Sequence, residues 1–313
     1  MDQRWFMTFG VLLICAIYML IGTEQQQSLF GLWLDRHSSQ EVAEANALRP
    51  LIRCVNLADV PWRLDRAAPP SKQRDDFPYI QRYDPDAILR DFCKPDIVFK
   101  SGIVEGTRQI GPIVGHYTST FRAMLERYQG LQRDSSPDAT LALTRHDKDY
   151  AYRIEAFLSA SEAMRRELES LELTLRPKQL ELLEQSQGRD LHWYLLNYMI
   201  RARETADQLT EAANRQKLDL PLLAAISEAL LQARQAGETY RDSHPATHRK
   251  GPVQDLWSLL EEPAQRYQTA LEQLATDWRN HAEPHVLSDD FWNVTHRYDV
   301  LLALYNKQAD IDF

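Results

Sequence analysis

Basic residues, glycine and cysteine are all scarce in this sequence. Lys and Arg number 36 against 45 Asp and Glu, which gives a formal net charge of −9. This balance argues against a nucleic-acid partner, because proteins that bind nucleic acid need a basic face. The 3 cysteines include no C-x-x-C pair, which argues against a zinc site with its usual four or so ligands. We therefore predict no nucleic-acid partner, no metal ligand and no cofactor.

Short catalytic motifs are absent as well. No G-x-S-x-G, H-E-x-x-H or kinase-loop pattern occurs. The glycines of Gly102–His116 lack the Gly-Lys-Ser/Thr of a phosphate loop, so this segment is predicted to be a linker into the next helix. Adjacent acidic residues on a helix point to different faces, whereas paired catalytic carboxylates must converge on one bond. The adjacent acidic pairs are Asp75-Asp76, Glu261-Glu262 and Asp289-Asp290. We predict no catalytic residue.

Two pairs of histidines have a spacing that a metal can use on a helix. They are His244 with His248 and His281 with His285. Each pair encloses a proline, which disrupts helical geometry, and neither has a third ligand nearby in the sequence. Metal binding is therefore not predicted at either pair.

The segment Trp5–Gly22 contains 18 uncharged residues. As a helix it would be about 27 Å long, just enough to cross the hydrocarbon core of a bilayer. A cleaved signal peptide is the alternative, but its apolar region is usually shorter and no A-x-A-like site follows here. Lipidation of Cys15 is a third interpretation, disfavoured because Ile14 stands where a small residue is required. We predict an uncleaved transmembrane anchor.

The flanking charges predict how the anchor is oriented. Arg4 and the amino group lie on its N-terminal side, and no Lys or Arg follows it until Arg36. Positive residues favour the cytoplasmic side of a membrane. We therefore predict a single-pass protein of the bacterial inner membrane, with its C-terminal domain in the periplasm.

Cys54 and Cys93 are the two cysteines outside the anchor. In an oxidising compartment two such cysteines are expected to pair. A disulfide closing this loop would stabilise the fold by at most about 4 kcal/mol in the chain-entropy model. Two separate buried thiols are the alternative. We predict a disulfide.

Proline placement divides the chain beyond the anchor. Eight of the 15 prolines fall between Pro50 and Pro112. Residues 46–112 are therefore predicted to be irregular and stapled by the disulfide, with short helices at Ala43–Val60 and Asp86–Cys93. The anchor occupies residues 1–24 and a membrane-proximal linker or helix residues 25–45. Long helices are predicted for residues 113–313, so that residues 46–313 form one helical periplasmic domain.

Apolar residues recur in helical steps through the C-terminal part. Steps of four and three residues join Tyr150, Ile154, Phe157, Ser161, Met164, Leu168, Leu171 and Leu175. The same rhythm joins Leu191, Leu195, Tyr198, Ala202, Thr205 and Leu209; Leu271, Leu274 and Trp278; and Phe291, Val294, Tyr298, Leu301 and Tyr305. Helix boundaries are predicted at Pro137, Arg176-Pro177, Gly188, Pro221, Ser243-His244-Pro245, Gly251-Pro252 and Pro284, with Ser288 capping the last helix. The fold class predicted is all-α, an array of long and mostly antiparallel helices.

Both ends of the exported part resemble a known family. The first stretch is NALRPLIRCVNLADVPW (Asn46–Trp62), followed by LRDFCKPDI (Leu89–Ile97) with the second cysteine. The last stretch is FWNVTHRYDVLLALYN (Phe291–Asn306). In this order the stretches resemble the YiiG-like family, a domain of unknown function found in Gram-negative envelope proteins.

The resemblance rests on four residues. Cys54 and Asn56 match a Cys-x-Asn on the family's first helix, and Tyr305 and Asn306 match the Tyr-Asn with which its domain closes. The resemblance implies an exported helical domain over roughly residues 46–306, with the last helix lying near the Cys54 helix. It implies no activity and no catalytic residue. Many members are lipoproteins, and the poor lipidation site at Cys15 departs from that pattern.

Two functions from different classes fit these observations. The first is a non-enzymatic binding protein anchored in the inner membrane, with a protein partner gripped between helices. One form of it is an immunity protein that neutralises a toxin delivered to the periplasm, because a tether raises the concentration of an inhibitor where the toxin acts. The alternative is an enzyme acting on cell wall or lipid, with carboxylates that only the fold brings together. The lack of catalytic motifs favours the binding protein.

Overall fold

The computed structural model describes residues 40–58, 93, 110–133, 146–244 and 252–312. Within these ranges the regular elements are helices and no strand occurs, which confirms the all-α prediction. The helices are α1 (Gln40–Ala58), α2 (Ile110–Arg133), α3 (Lys148–Gln187), α4 (Leu191–Asn214), α5 (Leu220–Ser243), α6 (Pro252–Arg279) and α7 (Pro284–Asp312). None of these seven described helices has an apolar stretch sufficient to span a bilayer. The predicted anchor Trp5–Gly22 lies outside the described residues.

Helices α3, α4 and α5 begin with the same local device. Each follows an aspartate whose carboxylate accepts a hydrogen bond from the backbone N–H three residues later, which satisfies one of the unpaired donors of the first turn. The capping residues are Asp147, Asp190 and Asp219. Gly188 follows α3 with a φ of 78°, a left-handed conformation that glycine adopts without strain. Short turns at 188–190, 215–219 and 280–283 connect successive helices, and the predicted boundaries at Gly188, Pro221 and Pro284 are confirmed.

The predicted boundaries at Ser243-His244-Pro245 and Gly251-Pro252 are confirmed as well, because α5 ends at Ser243 and α6 begins at Pro252. Pro137 lies outside the described residues, and two other predictions are wrong. Arg176-Pro177 does not end α3, which continues to Gln187. Pro177 cannot donate to the carbonyl of Leu173, but both residues are exposed, so water can satisfy that oxygen. Ser288 lies inside α7, because the helix already begins at Pro284, a residue suited to a first turn.

The proline-rich part also differs from the prediction. α1 begins three residues before the predicted start at Ala43 and runs through Pro50. α2 begins at Ile110, so the C-terminal end of the predicted linker Gly102–His116 is helical. The predicted helix Asp86–Cys93 lies outside the described residues except for Cys93 itself.

Helices α4, α5, α6 and α7 enclose a hydrophobic cluster that we call the C-terminal core. Tyr267 of α6 is fully buried in it, and its hydroxyl donates to the carbonyl oxygen of Ala202 in α4 at 3.2 Å. The predicted apolar face of α7 packs into this core. Val294, Tyr298, Leu301 and Tyr305 are buried, and Phe291 is half-buried against them.

Helices α1 and α2, Cys93 and α3 as far as Leu175 enclose a second cluster, the N-terminal core. Phe157 of α3 lies with its ring centroid 5.7 Å from that of Tyr117 and 5.1 Å from that of Phe121, both in α2. The predicted disulfide between Cys54 and Cys93 is present, and both residues are buried. The disulfide therefore ties the chain around residue 93 to α1 inside this core.

The last helix returns to the Cys54 helix, as predicted. Asn56 of α1 donates from Nδ2 to the carbonyl oxygen of Ala303 in α7 at 3.1 Å. α1 also packs against α3, and α3 against α4, so these four helices join the two cores. The candidate site lies at this junction.

Candidate functional site

A buried ion pair stands at the junction of the two cores. Glu172 of α3 and Arg203 of α4 approach to 2.6 Å between Oε2 and Nη1, and each side chain is less than a tenth exposed. Arg176, one turn along α3, donates from Nη2 to the other oxygen of Glu172 at 2.8 Å. Arg203 also donates from Nε to the hydroxyl of Tyr298 in α7 at 3.2 Å. One carboxylate and one guanidinium thus connect three helices.

The environment keeps this pair ionised. Burial raises the pKa of Glu172, but the positive charges of Arg203 and Arg176 lower it more, so that it lies below its ordinary value. Burial lowers the pKa of Arg203, yet Tyr298 and Glu172 raise it above its ordinary value. Burial raises the pKa of Tyr298, whose hydroxyl stays neutral. Both members are therefore charged near neutral pH, and the pair links the helices that carry them.

A cleft opens on one side of the ion pair, between α3, α4 and α7. We call it the α4 cleft, and it encloses about 440 Å³ including space open to solvent. Its walls are mostly apolar, and Tyr305 and Asn306 of α7 are part of its lining. The apolar lining consists of Leu173, Pro177, Leu196, Met199, Ile200 and Leu302.

A second cleft opens on the other side, between α1, α3 and α7. We call it the α1 cleft, and it encloses about 470 Å³ on the same measure. Apolar walls come from all three helices, namely Ile52, Val55, Leu168, Leu302 and Ala303. Charged and amide groups lie among them: Asn56, Arg165, Glu169, Asp299 and Asn306.

Glu169 is the carboxylate of the α1 cleft with the most unusual environment. Its burial raises its pKa above the ordinary value, although the positive charges of Arg203 and Arg165 partly oppose this effect. The carboxylates of Asp207 and Asp299 raise the pKa further. Glu169 forms no hydrogen bond or ion pair with any described residue. Burial thus disfavours the charged form of Glu169.

The residues that carried the family resemblance meet at these clefts. Asn56 lines the α1 cleft, Tyr305 lines the α4 cleft, and Asn306 lines both. Cys54 is two residues before Asn56 on α1, where its disulfide holds the helix that forms one wall. Sequence stretches that are some 250 residues apart thus contribute to one region.

Residues 146–307 match the family described as a protein of unknown function (DUF3829). The match covers more than half of the 313 residues. The chain belongs to this family. It matches no curated protein and no solved structure.

The DUF3829 match covers the two clefts unequally. All residues that line the α4 cleft fall within it, as do both members of the ion pair. Ile52, Val55 and Asn56, which complete the α1 cleft, precede it. The DUF3829 match spans residues 146–307, whereas the resemblance to the YiiG-like family extended over roughly residues 46–306.

Sequence reasoning missed the ion pair and Glu169. The predicted face of α3 included Leu171, which is only half-buried, whereas the adjacent Glu172 is buried. The signal was available, because Leu168, Glu172 and Leu175 are also joined by steps of four and three residues. A charged residue at such a position needs a buried partner. Nothing in the sequence identifies that partner as Arg203.

The polar residues singled out from the sequence do not assemble into a site. His281 and His285 are exposed in and after the turn before α7, and His244 is exposed and stacks on Tyr240. His248 and Asp75-Asp76 lie outside the described residues. Glu261, Glu262 and Asp289 are exposed on the helix surfaces. Among the described residues, no group of three or more His, Cys, Asp or Glu is placed to hold a metal ion.

Proposed function

We propose that this chain is a non-enzymatic binding protein of the bacterial envelope, of the YiiG-like kind. In this proposal the segment Trp5–Gly22 anchors it in the inner membrane, and the helical domain projects into the periplasm. The clefts at the junction of the two cores grip part of a partner protein. An immunity protein that neutralises a periplasm-delivered toxin is the specific form that we favour, because the anchor would keep it where the toxin acts.

The observation that carries the proposal is the pairing of the buried charges. Glu172 and Arg203 are already satisfied by each other, by Arg176 and by Tyr298. Because both charges are paired, the ion pair forms a rigid base for the clefts and offers no free proton donor. Such a junction is better suited to holding a partner than to transforming a substrate.

Site-specific photocrosslinking tests directly whether a partner protein binds in a cleft. A photoreactive phenylalanine analogue replaces Ile52, which lines the α1 cleft, in the full-length protein expressed in its own host. Tyr152 of α3, which is 75% exposed and lines neither cleft, serves as the matched control position. We expect one defined crosslinked protein from position 52 and none from position 152. Equal crosslinking from both positions would count against a specific partner in the cleft.

A competition between sister strains tests the immunity form. A strain lacking this protein is mixed on a solid surface with its toxin-producing parent, and survivors of each are counted. We expect the deletion strain to be killed on contact and to be protected when the full-length chain is restored. Equal survival without the protein would exclude immunity and leave the more general binding role.

Fractionation tests the anchor. We expect carbonate-washed membranes to retain the chain, and protease to reach its C-terminal domain only after the outer membrane is opened. A soluble mature form that begins near Thr23 would contradict an uncleaved anchor.

An enzyme acting on cell wall or lipid is the second candidate, and Glu169 is the observation in its favour. A carboxyl with a raised pKa beside a second carboxylate, here Asp299, is the arrangement that general acid–base catalysis uses. The purified protein should then release a product from wall or lipid fractions. Asp299→Asn should abolish that release while leaving the helical circular dichroism unchanged. No product from the wild-type protein would reject this candidate.

A further inference from the structure

The α1 cleft has an excess of negative charge near its apolar walls. Glu172 and Arg203 neutralise each other at 2.6 Å. Of the remaining charged groups that line the cleft, Glu169 and Asp299 are negative and Arg165 is positive. Among the residues that the structure describes, three carboxylates and two guanidinium groups thus line the cleft, and Asp299 and Arg165 each also interact with other groups.

Glu169 is the carboxylate of the α1 cleft whose charge no described residue pairs with or hydrogen-bonds to. It is half-buried. A buried charge without a partner is costly, and a ligand that supplies the opposite charge removes that cost. An anionic ligand would instead be repelled by it.

Neutral polar groups complete the lining. Asn56 donates its Nδ2 to Ala303, which leaves its Oδ1 to accept a hydrogen bond. The side-chain amide of Asn306 makes no hydrogen bond with a described residue. An ammonium group has three donors and no acceptor, so carboxylate and amide oxygens together match it.

The walls of the cleft match the rest of such a ligand. Ile52 and Val55 of α1 line the cleft together with Leu168 of α3 and Leu302 of α7. Apolar walls of this kind accommodate the methylene chain that carries the charged group of a lysine.

We propose that the α1 cleft binds a primary ammonium group on an alkyl stem, with Glu169 as its counter-ion and Asn56 and Asn306 as further acceptors. The group comes either from a lysine side chain of a protein partner or from a free alkylamine. The inference deepens the binding role proposed above and rests on it for the partner. The surplus of acidic residues in the whole chain, a net charge of −9, also favours a basic partner.

Calorimetric titration of the full-length protein in detergent micelles tests this with defined probes. The probes are 1-aminopentane, N-acetyl-lysine methylamide, pentanoate and 1-pentanol. We expect an amine to bind and pentanoate and pentanol not to bind. Binding of the lysine derivative alone identifies a partner's side chain as the source, and binding of aminopentane alone identifies a free amine. If neither amine binds, or if pentanoate binds as well as they do, the proposal is overturned.

Matched variants assign the counter-ion. Glu169→Gln removes the charge, and Glu181→Gln makes the same change at an exposed position of α3 outside both clefts. We expect the first to weaken amine binding roughly tenfold or more, as loss of a charged hydrogen bond does, and the second to leave it unchanged. Asn306→Asp adds a carboxylate and should tighten binding, which keeps the proposal testable if Glu169→Gln misfolds. Unchanged affinity in both cleft variants would overturn it.

The pH dependence separates a counter-ion from a merely structural residue. Binding requires the ionised form of Glu169, whose pKa is raised by its burial and by Asp207 and Asp299 against the opposing charges of Arg203 and Arg165. Affinity in the wild-type protein should therefore be weaker near about pH 5 than near about pH 7.5, a range in which an alkylamine stays protonated. Glu169→Gln should lose most of this dependence, and retention of the full dependence would overturn the assignment.

The proposal of a protein partner and the proposal of an ammonium site can be contradicted independently of each other. The titration uses no partner protein, so its failure leaves the photocrosslinking result intact. A negative crosslinking result alongside amine binding would instead leave the α1 cleft as a site for free amines.

Discussion

The two hydrophobic cores of this protein are built in different ways. The C-terminal core consists of helices that follow one another in the sequence, two of its connections being the short turns 215–219 and 280–283. The N-terminal core combines α1, α2 and α3 with Cys93, which come from well-separated parts of the sequence. Only the N-terminal core has a disulfide among its described residues.

This difference has an energetic reason. Closing a long loop costs more conformational entropy than closing a short one, and every ordered residue adds to that cost. The N-terminal core must close long intervals before its helices can touch, and the Cys54–Cys93 disulfide removes part of that entropy from the unfolded chain. The C-terminal core needs no such constraint, because its contacts are mostly between neighbours in sequence. We infer that the C-terminal core is the more independent of the two.

Removing α7 should have the largest effect on both cores. Truncation after Pro284 deletes six buried apolar side chains, namely Val294, Tyr298, Val300, Leu301, Leu304 and Tyr305. At about 1.5–3 kcal/mol for each, the loss rivals or exceeds a typical stability of about 5–15 kcal/mol. It also removes the contact of α7 with Asn56 in α1. We expect no cooperative melting by circular dichroism. A cooperative transition near the full-length temperature would instead show that α7 is an appendage.

Breaking the ion pair should uncouple the cores at a smaller cost. Arg203→Met leaves Glu172 buried and without its principal partner, which costs about 3–5 kcal/mol in comparable buried pairs. Because Glu172 keeps a depressed pKa only while it is paired, the stability of the wild-type protein should fall as pH drops through that folded-state value. Arg203→Met should flatten this acid-side loss. Urea unfolding at several pH values measures both effects.

A double variant provides the control. Glu172→Met combined with Arg203→Met places apolar groups at both positions and should recover much of the stability lost in the single variant. If the double variant loses as much stability as the two single variants together, the two side chains act independently. The ion pair would then not be what holds the junction together.

Removing the disulfide should act on one core only. Cys54→Ala with Cys93→Ala should lower the free energy of unfolding by at most about 4 kcal/mol. Hydrogen exchange locates the loss, and we expect amides of α1 and α2 to lose protection while those of α5 and α6 keep most of theirs. Equal losses in both sets would contradict the independence of the C-terminal core.

The sequence predicted the helices better than it predicted the junction. Repeating steps of three and four residues and the boundaries at Gly188, Pro221 and Pro284 reflect local physics, and the structure confirms them. The break at Arg176-Pro177 was wrong because the cost of a proline depends on whether the carbonyl that it leaves unpaired, here that of Leu173, can reach water. That exposure is a property of the packing.

The clefts could not be predicted for a similar reason. In the sequence, Glu169 and Glu172 look like ordinary charged residues of a helix. Their burial depends on which residues of α1, α4 and α7 lie beside α3 at that level. The resemblance did bring Asn56 and Asn306 to attention, because short motifs can mark residues that are distant in sequence and close in space. It gave no indication of the ion pair between the two clefts.

The smallest predicted effects come from one substitution made in each half of the molecule. Gly115→Ala in α2 adds a methyl group with no atom within 4 Å, so it should stabilise by about 0.5–1 kcal/mol through better helix propensity. Gly237→Ala in α5 makes the same chemical change where the new Cβ would overlap the indole ring of Trp257. Overpacking of this kind costs about 1–3 kcal/mol, which outweighs the gain in propensity.

Thermal and urea unfolding of the two single variants should show that their effects on stability have opposite signs. Trp257 is buried in the C-terminal core and its ring lies 6.4 Å from that of Tyr198, so it has little room to move away. Trp257→Phe should therefore relieve part of the cost of Gly237→Ala, and the combined variant should be more stable than additivity predicts. If Gly237→Ala is stabilising by itself, the packing of α5 against Trp257 of α6 is loose enough to accept a methyl group. The C-terminal core would then owe its independence to the order of its helices in the sequence rather than to tighter packing.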